Sequence, residues 1–228
     1  MFLYIVMIII SLALAAVFTM RRARQTDPTS LLLKTAASAA FVILGVVSLR
    51  YSYGVMSVAV IPGLVMGLIG DIYLDLKYVH PKQEIMYTFT GFGAFILGHV
   101  FYLIFLFSQY PLTVAGLIIG LIIGVLAGVV IYLTPDLMKV NYGRFHVISS
   151  AYGALLVFVT VYSLCLCFAR FTGARFVFFL GITLFLISDL ILSQIYFGKD
   201  KNTPKNSMLN HGTYYLGQIL IAASVMMI

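Results

Sequence analysis

The sequence has no tryptophan, two cysteines, six prolines and only seven acidic residues among its 228. Charged residues make up 9% of it, where a soluble domain carries about 25%. That is too little polar surface to coat a globule in water, and the mean hydropathy of +1.09 agrees. The scarcity excludes a sizeable soluble domain, and one domain over residues 1–228 is expected. Two cysteines exclude a disulfide scaffold. Cys165 and Cys167 stand two apart in an apolar run, so on a helix they point to nearly opposite sides and cannot bridge. They also make no metal site. Without tryptophan, tyrosine must supply the interfacial belt. Tyr51, Tyr53, Tyr78, Tyr87, Tyr110, Tyr132 and Tyr142 all fall near expected helix ends.

What is present is a series of long apolar runs. A spanning helix needs roughly 20 mostly apolar residues. Eight stretches fit, at about 2–20, 30–49, 55–76, 85–107, 111–133, 145–169, 174–197 and 209–227. The fold class expected is all-α, a polytopic membrane bundle of eight transmembrane helices. The first run has its positives after it, at Arg21, Arg22 and Arg24. It therefore reads as a retained span rather than a cleaved signal.

The net charge of +7 would suggest nucleic acid in a soluble protein. Here the positives sit in short loops, where they set topology and meet anionic lipid, so no nucleic acid partner is expected. Eleven of the 14 basic residues fall on one side: Arg21, Arg22, Arg24, Lys34, Lys77, Lys82, Lys139, Arg144, Lys199, Lys201 and Lys205. Arg50, Arg170 and Arg175 fall on the other. The bias makes the first side cytoplasmic and puts both termini on the non-cytoplasmic side. The fifth run carries Gly116, Gly120, Gly124 and Gly128. Glycine at every fourth position lets helices approach closely, inside the bundle or, alternatively, at a homodimer face.

A few polar residues fall inside the spans, where charge costs about 2.5–3.5 kcal/mol at the helix centre on translocon scales. Asp71 and Asp75 share one face of helix three at i, i+4. Asp75 reads most simply as an interfacial carboxylate near Lys77. His99, mid-span in helix four, neighbours Tyr102 at i, i+3, and the adjacent Gly98 suggests close approach by another helix. Asp189 lies deep in helix seven beside Ser188. Tyr214 and Gln218 share a face of helix eight. Lys34 lies early in helix two, where snorkelling to the interface would explain it. Counting from the cytoplasmic ends puts Asp71 at about 8 Å depth, Asp189 at about 12 Å, Gln218 at about 14 Å and His99 at about 21 Å. One polar cavity open to the cytoplasmic leaflet would accommodate these depths.

Four spaced signatures resemble the YhhN family of integral membrane proteins, which includes the lysoplasmalogenases. They are Gly70-Asp71 with Leu74, Gly98-His99 with Tyr102, Ser188-Asp189-Leu190, and Tyr214-Tyr215 with Gln218. In order they cover about residues 64–224. The family often has Lys-Pro near the start of helix two, whereas Thr35 follows Lys34 here. The resemblance implies hydrolysis of the vinyl ether bond of a lysophospholipid substrate, giving a fatty aldehyde and glycerophospho-ethanolamine or -choline.

Vinyl ether cleavage begins with protonation of an alkene carbon and passes through an oxocarbenium ion. Two carboxyls in different surroundings can divide proton donation and charge stabilisation, as in glycoside hydrolysis. Asp71 and Asp189 are the expected pair, with either able to donate the proton and Asp189 favoured by its depth. His99 with Tyr102 would orient water or a carboxylate. Tyr214, Tyr215, Gln218 and Ser188 would contact the glycerol or ether oxygen, and Lys34 or the loop cations the phosphate. No metal or other cofactor is required by this chemistry, and neither a GxSxG nor a HExxH motif is present. The rival readings are an enzyme acting on another membrane lipid, and a transporter of membrane lipid or, coupled to protons, of a small molecule, which also uses intramembrane carboxylates. The membrane would be the inner membrane in a bacterium or an endomembrane in a eukaryote.

Overall fold

A computed structural model of the protein describes residues 1–25, 27–52 and 55–228, without the side chains of 55 and 56. Tyr53 of the expected belt lies outside the described residues. Eight long helices account for most of the chain: α1 (Phe2–Arg22), α2 (Pro28–Leu49), α3 (Val60–Val79), α4 (Glu84–Gln109), α5 (Val114–Leu133), α6 (His146–Ala169), α7 (Gly173–Phe197) and α8 (Pro204–Ser224). Each matches an expected run to within a few residues, and no strand occurs among the described residues. Seven of the eight are long and apolar enough to cross a membrane. The exception, α8, corrects the expectation of eight apolar spans. Its first half carries Asn206, Ser207, Asn210, His211 and Thr213. It is nonetheless packed into the bundle against α7, α1 and α2, and Asn210, buried there, donates to the Ser188 carbonyl at 2.7 Å.

Packing follows a ring. α1 lies against α2, α2 against α3, α3 against α4, α4 against α6, α6 against α7, α7 against α8, and α8 back against α1. α5 stands outside the ring, on α6. Its glycines explain how: a side chain at Gly124 would meet the Ala154 carbonyl at 2.7 Å, and one at Gly128 the Ala154 Cβ at 2.8 Å. The stripe is thus used within the chain, on the face that had also been open to a homodimer contact. The approach suggested by Gly98 is real as well. A Cβ there would lie 3.2 Å from the Gly63 carbonyl of α3.

The helix ends are fixed by local chemistry. Asp27 caps α2 by accepting from the Ser30 backbone N–H and hydroxyl, both at 2.8 Å, and from Arg21 at 2.6 Å. The Arg21 guanidinium and the Ser30 donors hold the Asp27 carboxyl down at about 2. At the opposite end of the bundle, Arg175 donates to the Leu166 and Arg170 carbonyls, 2.9 and 3.0 Å away. A cation on the free carbonyls of a helix C-terminus is favourable. The α5–α6 connection is tied to the end of α7: Asn141 N–H donates to the Phe197 carbonyl at 2.8 Å, and the Gln194 amide to the Met138 carbonyl at 3.1 Å. These bonds bring Met138 and Tyr142 over the space between α6 and α7.

Gly124→Val should lower the thermal stability of the detergent-solubilised protein by about 1–3 kcal/mol, the cost of overpacking. Thermal unfolding followed by circular dichroism measures it. An unchanged midpoint would mean that α5 does not need this close approach.

Candidate functional site

The network starts where α1, α2 and α3 converge. Arg22, from the last turn of α1, binds Asp75 with both terminal nitrogens, at 2.8 and 3.0 Å. Lys34 of α2 reaches Asp75 Oδ1 at 3.1 Å and Asp71 Oδ1 at 3.2 Å. Asp71 and Asp75 can share one ammonium because a spacing of four puts them on the same helical face. Both are 2% exposed. The sequence reading of Asp75 as interfacial, and of Lys34 as snorkelling or phosphate-binding, is therefore corrected. The ammonium is already occupied by two carboxylates.

Hydroxyls extend the network. Asp71 Oδ2 accepts from Ser38 and from Tyr214, each at 2.6 Å. The Tyr214 hydroxyl accepts from the Gln218 amide at 3.3 Å, and Gln218 Oε1 accepts from Tyr102 at 2.8 Å. Tyr215 shares a 3.1 Å hydrogen bond with Ser38 and donates to the Lys34 carbonyl at 3.3 Å. One chain of contacts thus joins α1, α2, α3, α8 and α4. Tyr102, Tyr214 and Gln218, expected at the site, are spent on one another and on Asp71, and Tyr215 is spent on Ser38 and the Lys34 carbonyl. Ser188 is likewise buried, accepting from the Asn210 amide at 3.2 Å.

Asp189 is placed differently. It accepts from Tyr152 of α6 through Oδ2 and forms no ion pair among the described residues. It lines a cavity of ≈ 80 Å³ between α4, α6 and α7, whose walls include Phe92, Phe95, Tyr152, Leu186 and Phe197. That is room for several waters, or for a few atoms of a lipid whose remainder lies outside. The half-exposed Leu190 stands at the cavity's edge, giving an opening toward the lipid-facing surface.

Asp71, His99 and Asp189 were expected to line one cavity, and of the three only Asp189 lines this one. Between it and Asp71 stand aromatic rings. Tyr214 packs edge-on against Phe185 at 5.2 Å and against Phe95 at 6.1 Å. His99 is fully buried behind the same wall, 4.8 Å from the Phe185 ring and 5.6 Å from the Tyr152 ring. Its Nδ1 is 2.7 Å from the Phe95 carbonyl, while its Nε2 has no hydrogen-bond partner.

Four participants escaped the sequence reading: Arg22, Ser38, Asp75 and Tyr152. Arg22 looked like a topology charge, and its pairing with Asp75 spans 53 positions. For Tyr152 a signal existed, since it lies two turns into α6, deeper than a belt tyrosine needs to be.

A family model described as the YhhN family matches residues 29–225. The match spans most of the chain, which therefore belongs to the YhhN family. Neither the curated proteins nor the solved structures gave a match.

Lys34→Met should destabilise the protein by about 3–5 kcal/mol, because it strands carboxylate charge in the interior. Adding Asp71→Asn to it should recover part of the loss, since one uncompensated charge goes with it. Thermal unfolding of both variants tests the pairing. Additive losses would refute it.

Proposed function

We propose that this member of the YhhN family is an intramembrane hydrolase that cleaves the vinyl ether bond of lysoplasmalogen to a fatty aldehyde and glycerophospho-ethanolamine or -choline. The observation that carries the reading is Asp189, a carboxyl without a counter-cation facing an apolar cavity. Family membership supports it, since the family includes the lysoplasmalogenases.

Asp189 is the proton donor in this reading. Its Oδ2 is engaged by Tyr152, which leaves Oδ1 to carry the acidic proton toward the substrate. Transfer of that proton to the second carbon of the alkenyl chain leaves an oxocarbenium ion at the first carbon and a carboxylate at Asp189. The Tyr152 hydrogen bond is then charge-assisted and stronger. A contact that strengthens as charge develops lowers the barrier instead of merely binding substrate. The aromatic rings of Phe92, Phe95 and Tyr152 around the cavity add a favourable surface for the cation. Water adds to the first carbon and returns a proton to Asp189. The hemiacetal then collapses, its hydroxyl losing a proton as the glycerol oxygen gains one, and the aldehyde departs. His99, buried behind the aromatic wall, does not line the cavity and takes no step in this reading.

Asp71 has a different part from the one its charge suggested. Held by Lys34, Ser38 and Tyr214, it positions the wall behind the cavity and does not touch the reacting atoms.

Purified protein should release aldehyde from lysoplasmalogen. Asp189→Asn should lower kcat by at least about 100-fold, the contribution of a general acid. Tyr152→Phe should cost about tenfold, the worth of one hydrogen bond to a charged group at ~1.5 kcal/mol. Full turnover by a folded Asp189→Asn variant would remove Asp189 as the donor.

A further inference from the structure

Lys77 is a buried cation that the network does not use. It sits in the last turn of α3 and is 8% exposed. Among the described residues it makes no ion pair and no hydrogen bond. Its ammonium lies 3.3 Å above the centre of the Tyr196 ring and 5.2 Å from that of Tyr78. Glu84 and Asp75 act on it only at a distance, without an ion pair, and Asp75 is already held by Arg22 and Lys34. A buried ammonium whose close contacts are aromatic faces is poorly compensated, which suits it to an anion that arrives with a ligand.

Lys77 is not itself a wall of the cavity but lies beside it. Tyr196, the ring beneath it, lines the cavity that holds Asp189, and so does Leu74, one turn before Lys77 on the same face of α3. Tyr196 lies seven residues beyond Asp189 on α7, about 10 Å along the axis at 1.5 Å per residue. In a lysoplasmalogen, seven bonds separate the alkene carbon that is protonated from phosphorus. At about 1.2 Å of extended reach per bond they span about 8 Å, and the phosphate oxygens reach further. A molecule with its alkenyl carbon at Asp189 thus carries its phosphate to the end of the cavity marked by Tyr196.

We propose that Lys77 is the phosphate-binding group of the Asp189 cavity and selects lipids with a phosphodiester headgroup over neutral glycerol ethers. Here Tyr196 holds the ammonium over the cavity's end. This assignment rests on the reading of the cavity as a lysolipid site, and its test is a binding measurement that needs no turnover.

The probes are a saturated 1-O-alkyl lysophosphatidylethanolamine, which cannot be cleaved by this route, and the matching 1-O-alkylglycerol without phosphate. Both are titrated against the full chain in nanodiscs. The wild type should bind the phosphodiester at least tenfold more tightly. Lys77→Met should bind the two alike with its alkylglycerol affinity unchanged, and Lys77→Arg should keep most of the preference. Lys77→Gln repeats the test should the Met variant not fold. A phosphate preference retained by folded Lys77→Met or Lys77→Gln overturns the assignment and leaves the hydrolase standing. A wild type that binds neither probe overturns both. Lys77-dependent binding of inorganic phosphate, without preference between the two lipids, would make this a free-phosphate site and also overturn the assignment.

Discussion

Two cations and two carboxylates, all buried, meet where α1, α2 and α3 converge, and the rest of the site is arranged around them. In an apolar medium an unpaired charge costs several kcal/mol. Arg22 and Lys34 balance Asp71 and Asp75, and the close contacts at 2.8–3.2 Å leave little freedom in how the three helices meet. The hydroxyls of Ser38 and Tyr214 fill the remaining acceptor positions of Asp71. Through them the order imposed by charge reaches α8, and through Gln218 and Tyr102 it reaches α4. α8 is tied to this network by Tyr214, Tyr215 and Gln218.

That rigid side throws the other into relief. Asp189 stands across an aromatic wall with a tyrosine for partner and a cavity in front of it. The two carboxyls expected to divide proton donation and charge stabilisation differ sharply in surroundings: one is compensated and enclosed, the other uncompensated and facing a cavity. Environments that differ in this way separate the roles of chemically identical groups. In the proposed reaction the division falls between architecture and chemistry, not between two steps.

Much of this was legible in the sequence. The helices follow from apolar length, and α3's carboxylates share a face by spacing alone. Asp189 stood out as a charge that a span should not carry. What could not be read were the partners. A residue's depth can be counted from a helix end, but the neighbour at that depth depends on ring order, which short loops do not fix. Asp75 lies one turn from Asp71, so depth counting placed it at the interface, whereas Arg22 and Lys34 enclose it. Sequence alone leaves Lys34 free to snorkel or to meet a phosphate, and Tyr152 is one tyrosine among fifteen. The glycine stripe of α5 was legible as a packing face, but only the three-dimensional arrangement shows that α6 fills it.

In the proposed assignment the lipid's ether is the guest of Asp189, and Asp71 stays inside the wall. An experimental structure of the protein with an uncleavable alkyl ether lysolipid tests this most directly. The ether oxygen and the adjoining carbon of the chain should lie beside the Asp189 carboxyl, with the alkyl chain passing Leu190 toward the membrane. A lipid seated instead against Asp71, with Tyr214 and Gln218 turned away from each other to receive it, would contradict it.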